Sequence, residues 1–282
     1  MPTKSQHTFV RILIATLASC ALVSTILIAY KTDFHTIIKT IAWLLLAPIG
    51  WFVYQRNAWR ETCVVILTYV VVTGFLIDVP RKPILHEMIR NLYFHVPMWF
   101  AMISVLTTSF VFSIRYLRNS RLNDDIAASQ LASIGVALGV LGYITGAVWG
   151  NYTWDGVPLL EPRLVSAAAA LLLYFAYFVL RMSMDDDKAK MRLAAIYNVF
   201  SFPTFIVLIY ILPRLVENSL HPDLGGNDSF GAYDKEESGD AINDNMKLVF
   251  YPAIIGWTLL SFWIASLGIR AKKLFAKHHG LD

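Results

Sequence analysis

Of the seven histidines in this 282-residue chain, two stand in segments where an imidazole could do chemistry: Tyr93-Phe94-His95-Val96-Pro97 and Asn218-Ser219-Leu220-His221-Pro222. Neutral imidazole is a good ligand for a transition metal, and two imidazoles from separate segments suit the opposite faces of an iron porphyrin. Each also has a plainer reading, His95 as a histidine among interfacial aromatics and His221 as a solvated loop residue. Between them runs Trp149-Gly150-Asn151-Tyr152-Thr153-Trp154-Asp155-Gly156-Val157-Pro158-Leu159-Leu160-Glu161-Pro162-Arg163. Its rings Trp149, Tyr152 and Trp154 read either as an aromatic belt at a membrane surface or as flat apolar surface for a large planar ligand, with Arg163 available to a carboxylate. His86, upstream in the same connection as His95, is an alternative ligand.

The elements that must hold these residues are apolar. Hydrophobic residues make up 56% of the chain and charged residues 16%, a composition that belongs in lipid. A hydrocarbon core about 30 Å thick needs roughly 20 apolar residues per helix, and runs of that order recur over 10–30, 37–54, 62–77, 92–114, 126–149, 164–180, 196–212 and 248–269. No strand-length alternation of polar and apolar residues competes with them, so the fold class is all-α, a polytopic integral membrane bundle of about eight transmembrane helices. Cys20 and Cys63 lie in separate apolar runs without Cys-x-x-Cys spacing, which argues against thiol redox chemistry or a zinc site.

Basic residues set the orientation. With the N-terminus in the cytoplasm, the inside connections collect Arg56, Arg60, Arg115, Arg118, Arg121, Arg181, Lys188, Lys190, Arg192 and the basic tail from Arg270 to Lys277, most of the 24 Lys and Arg. Both termini are then cytoplasmic, and His35, His86, His95 and His221 face outward with the outer loops 150–163 and 213–247. The net charge of +4 is what helix insertion beside anionic lipid produces, so no nucleic acid partner is expected, only the lipid bilayer. The apolar runs carry no mid-membrane ionisable group and the halves show no repeat, which disfavours a small-molecule transporter. Gly135, Gly139, Gly142 and Gly146 repeat at helical spacing and predict close helix packing rather than ligand contact.

Taken in order, these segments resemble the membrane proteins of cytochrome c assembly, and within them the heme exporter protein C family. Arg90-Asn91-Leu92-Tyr93-Phe94-His95-Val96-Pro97 is similar to the family's first histidine motif, and Asn218-Ser219-Leu220-His221 to its second. Thr145-Gly146-Ala147-Val148-Trp149-Gly150 resembles the entry to its tryptophan-rich outer segment, and Arg163-Leu164-Val165-Ser166 the exit. The chain departs from the pattern in having Val157, Pro158 and Leu160 where tryptophans are expected and Glu161 in place of an Asp.

The resemblance covers about 59–270, a six-helix heme-handling core, and leaves 1–58 as a two-helix extension and 271–282 as a basic cytoplasmic tail. It implies heme b (iron protoporphyrin IX) with His95 and His221 as axial metal ligands. Trp149, Tyr152 and Trp154 would form the platform, and Arg163 a propionate partner. It further implies the bacterial inner membrane, a periplasmic heme chaperone as recipient, and an ABC-type ATPase with membrane subunits as companions. The expected role is heme delivery without catalysis. A cytochrome c synthase subunit, which would join heme to the apocytochrome, is the alternative within the same superfamily.

Overall fold

The computed structural model describes residues 58–79, 86–153, 156, 160–215 and 244–279. The predicted spans over 10–30 and 37–54, and with them the N-terminal extension, lie outside the described residues, as do Trp154 and His221.

Among the described residues the secondary structure is entirely helical. We number the long helices α1 (Trp59–Leu76), α2 (Leu92–Asn119), α3 (Leu122–Thr153), α4 (Pro162–Met182), α5 (Asp187–Ile206) and α6 (Asp244–His278). A 3-10 helix, His86–Asn91, leads into α2, and a π segment, Val207–Ile211, prolongs α5. Among the described residues six helical segments are long and apolar enough to cross a membrane, and the chain is a multi-pass membrane protein.

The helices outrun the apolar runs of the sequence. At 1.5 Å per residue, the 28 residues of α2 span about 42 Å and the 35 of α6 about 52 Å, against a hydrocarbon core of about 30 Å. Polar residues such as Arg115 and Arg118 in α2 or Lys272 and Lys273 in α6 continue the helix beyond the lipid, where backbone bonding still favours it. Glu161 starts α4 by accepting from the backbone N–H groups of Arg163 (2.6 Å) and Leu164 (3.1 Å), with Pro162 in the first turn, where it has no N–H to lose.

Successive helices run antiparallel. Tyr69 on α1 donates to the Leu248 carbonyl on α6 (3.0 Å), and Tyr197 on α5 to the Leu173 carbonyl on α4 (3.0 Å). The tightest seam joins α2 to α3. A Cβ added at Gly135 would meet Leu106 Cδ2 at 2.5 Å, at Gly139 Met102 Cε at 2.7 Å, at Gly142 Trp99 Cε2 at 2.9 Å and at Gly146 His95 Cε1 at 2.8 Å. As one number rises the other falls in step, so the glycine stripe is a groove into which one face of α2 is pressed along its length. Packing is therefore the role of the stripe, as its spacing predicts, and its last rung touches the candidate ligand.

At the opposite end of the same seam the bundle is closed by charge. Arg181 on α4 donates from Nη1 and Nη2 to the two carboxylate oxygens of Asp125 on α3, both at 2.7 Å, and Arg115 lies 3.3 Å from Asp124. Asp124 and Asp125 are buried (3% and 5% exposed) although they lie in the first turn, ahead of the apolar run. The helix begins at Leu122, ahead of its apolar run, and draws both carboxylates in with their cationic partners. Nearby, Asn198 on α5 donates to Ser109 and Ser113 on α2, each at 2.8 Å, while Ser109 donates to the Ala128 carbonyl on α3 at 2.7 Å.

Candidate functional site

The entry to α2 is fixed before His95 is reached. Arg90, on the 3-10 helix, donates from Nη1 to the carbonyls of Gly74 and Ile77, both at 2.7 Å, and from Nε to Glu87 at 2.8 Å. The two carbonyls belong to the last turn of α1 and the residue after it, which lack helical partners, so a cation there caps one helix while anchoring the start of another. Sequence reading placed Arg90 in a motif without giving it this task. Tyr93, fully buried, packs its ring against Gly74.

His95 follows in the first turn of α2 and is only 6% exposed. The ring is turned into the α2–α3 seam, where Gly146 offers the space no larger residue would. Its Nδ1 lies 2.9 Å from the hydroxyl of Thr145. Two indoles flank it edge-on, Trp99 with ring centroids 6.3 Å apart at 74° and Trp149 at 5.9 Å and 73°.

The Thr145 hydroxyl also lies 2.9 Å from the Leu141 carbonyl and 3.1 Å from that of Gly142, two acceptors for its one proton within its own helix. Donation there leaves a hydroxyl lone pair facing the imidazole, which an Nδ1–H can meet. In that arrangement the ring carries its proton on Nδ1, the tautomer that ligates a metal through Nε2.

The remaining expected site residues are distributed unequally. Trp149 is buried (8%) in the last turns of α3, in an apolar cluster with Tyr69, Tyr93, Met246 and Phe250. Its indole Nε1–H, the Tyr93 hydroxyl and the Thr73 hydroxyl are buried and find no hydrogen-bond partner among the described residues. Tyr152, expected in a loop, is on the final turn of α3 and 71% exposed, because the helix there extends past its neighbours. Arg163 is half-buried in the first turn of α4, at the same end of the bundle as His95. His86 begins the 3-10 helix before α2. Thr145 and Gly146 are what residue-by-residue reading missed. Both fall in the Thr145-Gly146-Ala147-Val148-Trp149-Gly150 stretch, but only helix register pairs them with His95.

Relatives carry the same signal. A 108-residue stretch is 25% identical to Heme exporter protein C of Paracoccus denitrificans, covering 38% of this chain and 45% of that protein, so the match spans less than half of that relative's length. Heme exporter protein C of Escherichia coli K12 is 27% identical over 193 residues, 65% of this chain and 74% of that one. A cytochrome c biogenesis protein of Pelargonium hortorum is 28% identical over 92 residues, 32% of this chain and 29% of its own. The sequence model described as Heme exporter protein C matches residues 43–279, a longer stretch than the motifs alone delimit and one that reaches into the second predicted span. A match across so much of the chain, on a helical membrane bundle with its histidine held in the first turn of α2, assigns the protein to the heme exporter protein C family.

Proposed function

We propose that this chain takes heme b as its cargo at the periplasmic face of the bacterial inner membrane and presents it to a periplasmic heme chaperone for c-type cytochrome assembly. The observation that carries the reading is the setting of His95: a buried imidazole whose Nδ1 lies 2.9 Å from the Thr145 hydroxyl, with aromatic rings on two sides and a glycine beneath it. These residues fit a porphyrin iron, since the donor is a neutral imidazole and the indoles bring apolar surface without competing acceptors. His95 is one axial ligand in this reading and His221, from the resembling second motif, the other. Trp149 walls the site, with Tyr152 and Trp154 at the outer margin of the platform. Arg163 pairs with a propionate, for which a planar guanidinium is suited. Family membership supports a station beside an ABC-type ATPase and its membrane subunits.

The clustering of basic residues supports a cytoplasmic position for the end holding Arg115, Arg181 and Lys272, with the His95 end outside. On this reading the protein makes and breaks coordination bonds to iron but no carbon–sulfur bond. The similarity to the Pelargonium hortorum cytochrome c biogenesis protein supports a second reading, a synthase subunit that joins heme to apocytochrome. Co-purification separates the two: the delivery reading expects a heme chaperone to travel with the protein, the synthase reading an apocytochrome.

The direct experiment is the absorbance spectrum of the full chain, purified from heme-replete cells, beside His95→Ala, His221→Ala and His86→Ala variants. A six-coordinate low-spin spectrum is expected for the native protein and His86→Ala, with loss of that spectrum in the other two. No Soret absorbance in the native protein would overturn the heme reading, and loss of six-coordination only in His86→Ala would transfer the ligand role to that residue.

A further inference from the structure

We infer that Thr145 is the positioning residue that sets the tautomer of His95, holding the imidazole proton on Nδ1 so that Nε2 meets an incoming iron without a prior proton shift. The inference deepens the heme-delivery reading and rests on it for the identity of the incoming metal. The tautomer itself rests only on geometry. The Thr145 hydroxyl is 2.9 Å from His95 Nδ1 and has the Leu141 and Gly142 carbonyls of its own helix at 2.9 and 3.1 Å to take its proton, which leaves it a lone pair to accept from the ring.

Three features of the surroundings make that constraint matter. The ring is 6% exposed, so bulk water has little access to exchange protons between its two nitrogens. Gly146 lies under the ring so closely that a Cβ would stand 2.8 Å from Cε1, and the edges of Trp99 and Trp149 bound it laterally. A flip that exchanged the nitrogens would have to displace these groups together. The hydroxyl acts through His95 and touches no iron, in the way that a hydrogen bond to the far nitrogen orients a metal-bound imidazole. Serine retains this chemistry; valine keeps the shape and loses the acceptor.

The experiment uses the full chain in lipid nanodiscs, labelled with ¹⁵N at histidine and free of heme, at mildly alkaline pH where imidazole is neutral. The His95 ring signals are assigned by their loss in His95→Ala. Native protein and Thr145→Ser are expected in the Nδ1–H form, whereas Thr145→Val shifts population towards Nε2–H. Titration with hemin then reads the consequence: Thr145→Val binds about ten- to a hundredfold more weakly, and Thr145→Ser stays within a few-fold of native. An Nε2–H ring in the native protein, or an unmoved tautomer in Thr145→Val, overturns the inference. So does a moved tautomer with native hemin affinity. If Thr145→Val fails to fold, Thr145→Ala takes its place, and the native tautomer remains decisive alone. Native protein that holds the Nδ1–H form yet binds no hemin leaves Thr145's hold on the ring standing and removes the heme reading.

Discussion

The two ends of the α2–α3 seam are built on opposite principles. At the end holding Arg181, most of the buried polar groups interlock: the Arg181–Asp125 fork is doubly bonded and Asn198 donates to Ser109 and Ser113, while Asp124 Oδ2 has no hydrogen-bond partner among the described residues. At the end holding His95, the Tyr93 hydroxyl, the Thr73 hydroxyl and the Trp149 indole N–H are buried without a partner among the described residues. Satisfied buried networks rigidify a bundle, and unsatisfied ones carry a desolvation penalty that a bound group can relieve. The comparison teaches that one end is a clamp and that the other, on the heme-delivery reading, is a receptacle, the two joined by a glycine-lined seam.

The comparison is broken most forcefully at the clamp. Arg181→Ala leaves the Asp125 carboxylate buried with its principal partner gone, and a loss of about 3–5 kcal/mol is expected on denaturant titration in detergent. The double variant Asp125→Leu with Arg181→Leu removes both charges together and recovers most of that stability, because no unpaired ion remains. A single variant as stable as the native protein would show that the fork is ornamental and that closure lies elsewhere.

The seam itself gives the next largest effect. Gly146→Ala and Gly135→Ala both add a methyl to a closed groove, and each is expected to destabilise by about 1–3 kcal/mol. Their effects on hemin binding differ. At Gly135 the obstructed group is the end of the Leu106 side chain, which moves; at Gly146 it is the His95 ring, pinned by Thr145. Hemin affinity therefore falls at least tenfold in Gly146→Ala and stays near native in Gly135→Ala. Equal affinities in the two would separate the site from the seam.

That pairing marks the limit of what the sequence discloses. Apolar runs of helix length declare a membrane bundle, and the order of motifs from Arg90 to Pro97 and from Thr145 to Gly150 declares the family. The run lengths do not declare where helices stop, since Arg115 or Lys273 extends a helix as readily as leucine once outside the lipid. The glycine spacing announces a close contact but not its partner, and only the register of α2 against α3 brings His95 onto Gly146 and Thr145. Burial of Asp124 and Asp125 is equally invisible, because each depends on an arginine from another segment, one of them 56 residues away. Tyr152 shows the converse: three residues beyond Trp149 on one helix, it clears its neighbours and is exposed.

The smallest expected effect tests the receptacle most sharply, because its sign differs from that of a conventional core substitution. Trp149→Phe shortens a buried ring, which by volume alone destabilises, yet it also removes an N–H that has no partner among the described residues. Eliminating an unsatisfied buried donor returns about 1–3 kcal/mol, close to what the lost ring area takes away, so heme-free stability should change by less than about 1 kcal/mol. Asn198→Ala supplies the contrast, since it strips a donor from Ser109 and Ser113 with no such compensation and falls by more. With hemin bound the order inverts. If the Trp149 N–H meets a heme oxygen, Trp149→Phe loses a few-fold in hemin affinity while Asn198→Ala loses none. A Trp149→Phe protein that is strongly destabilised without heme and unaffected in binding it would make Trp149 an ordinary packing residue and erase the distinction between the two ends.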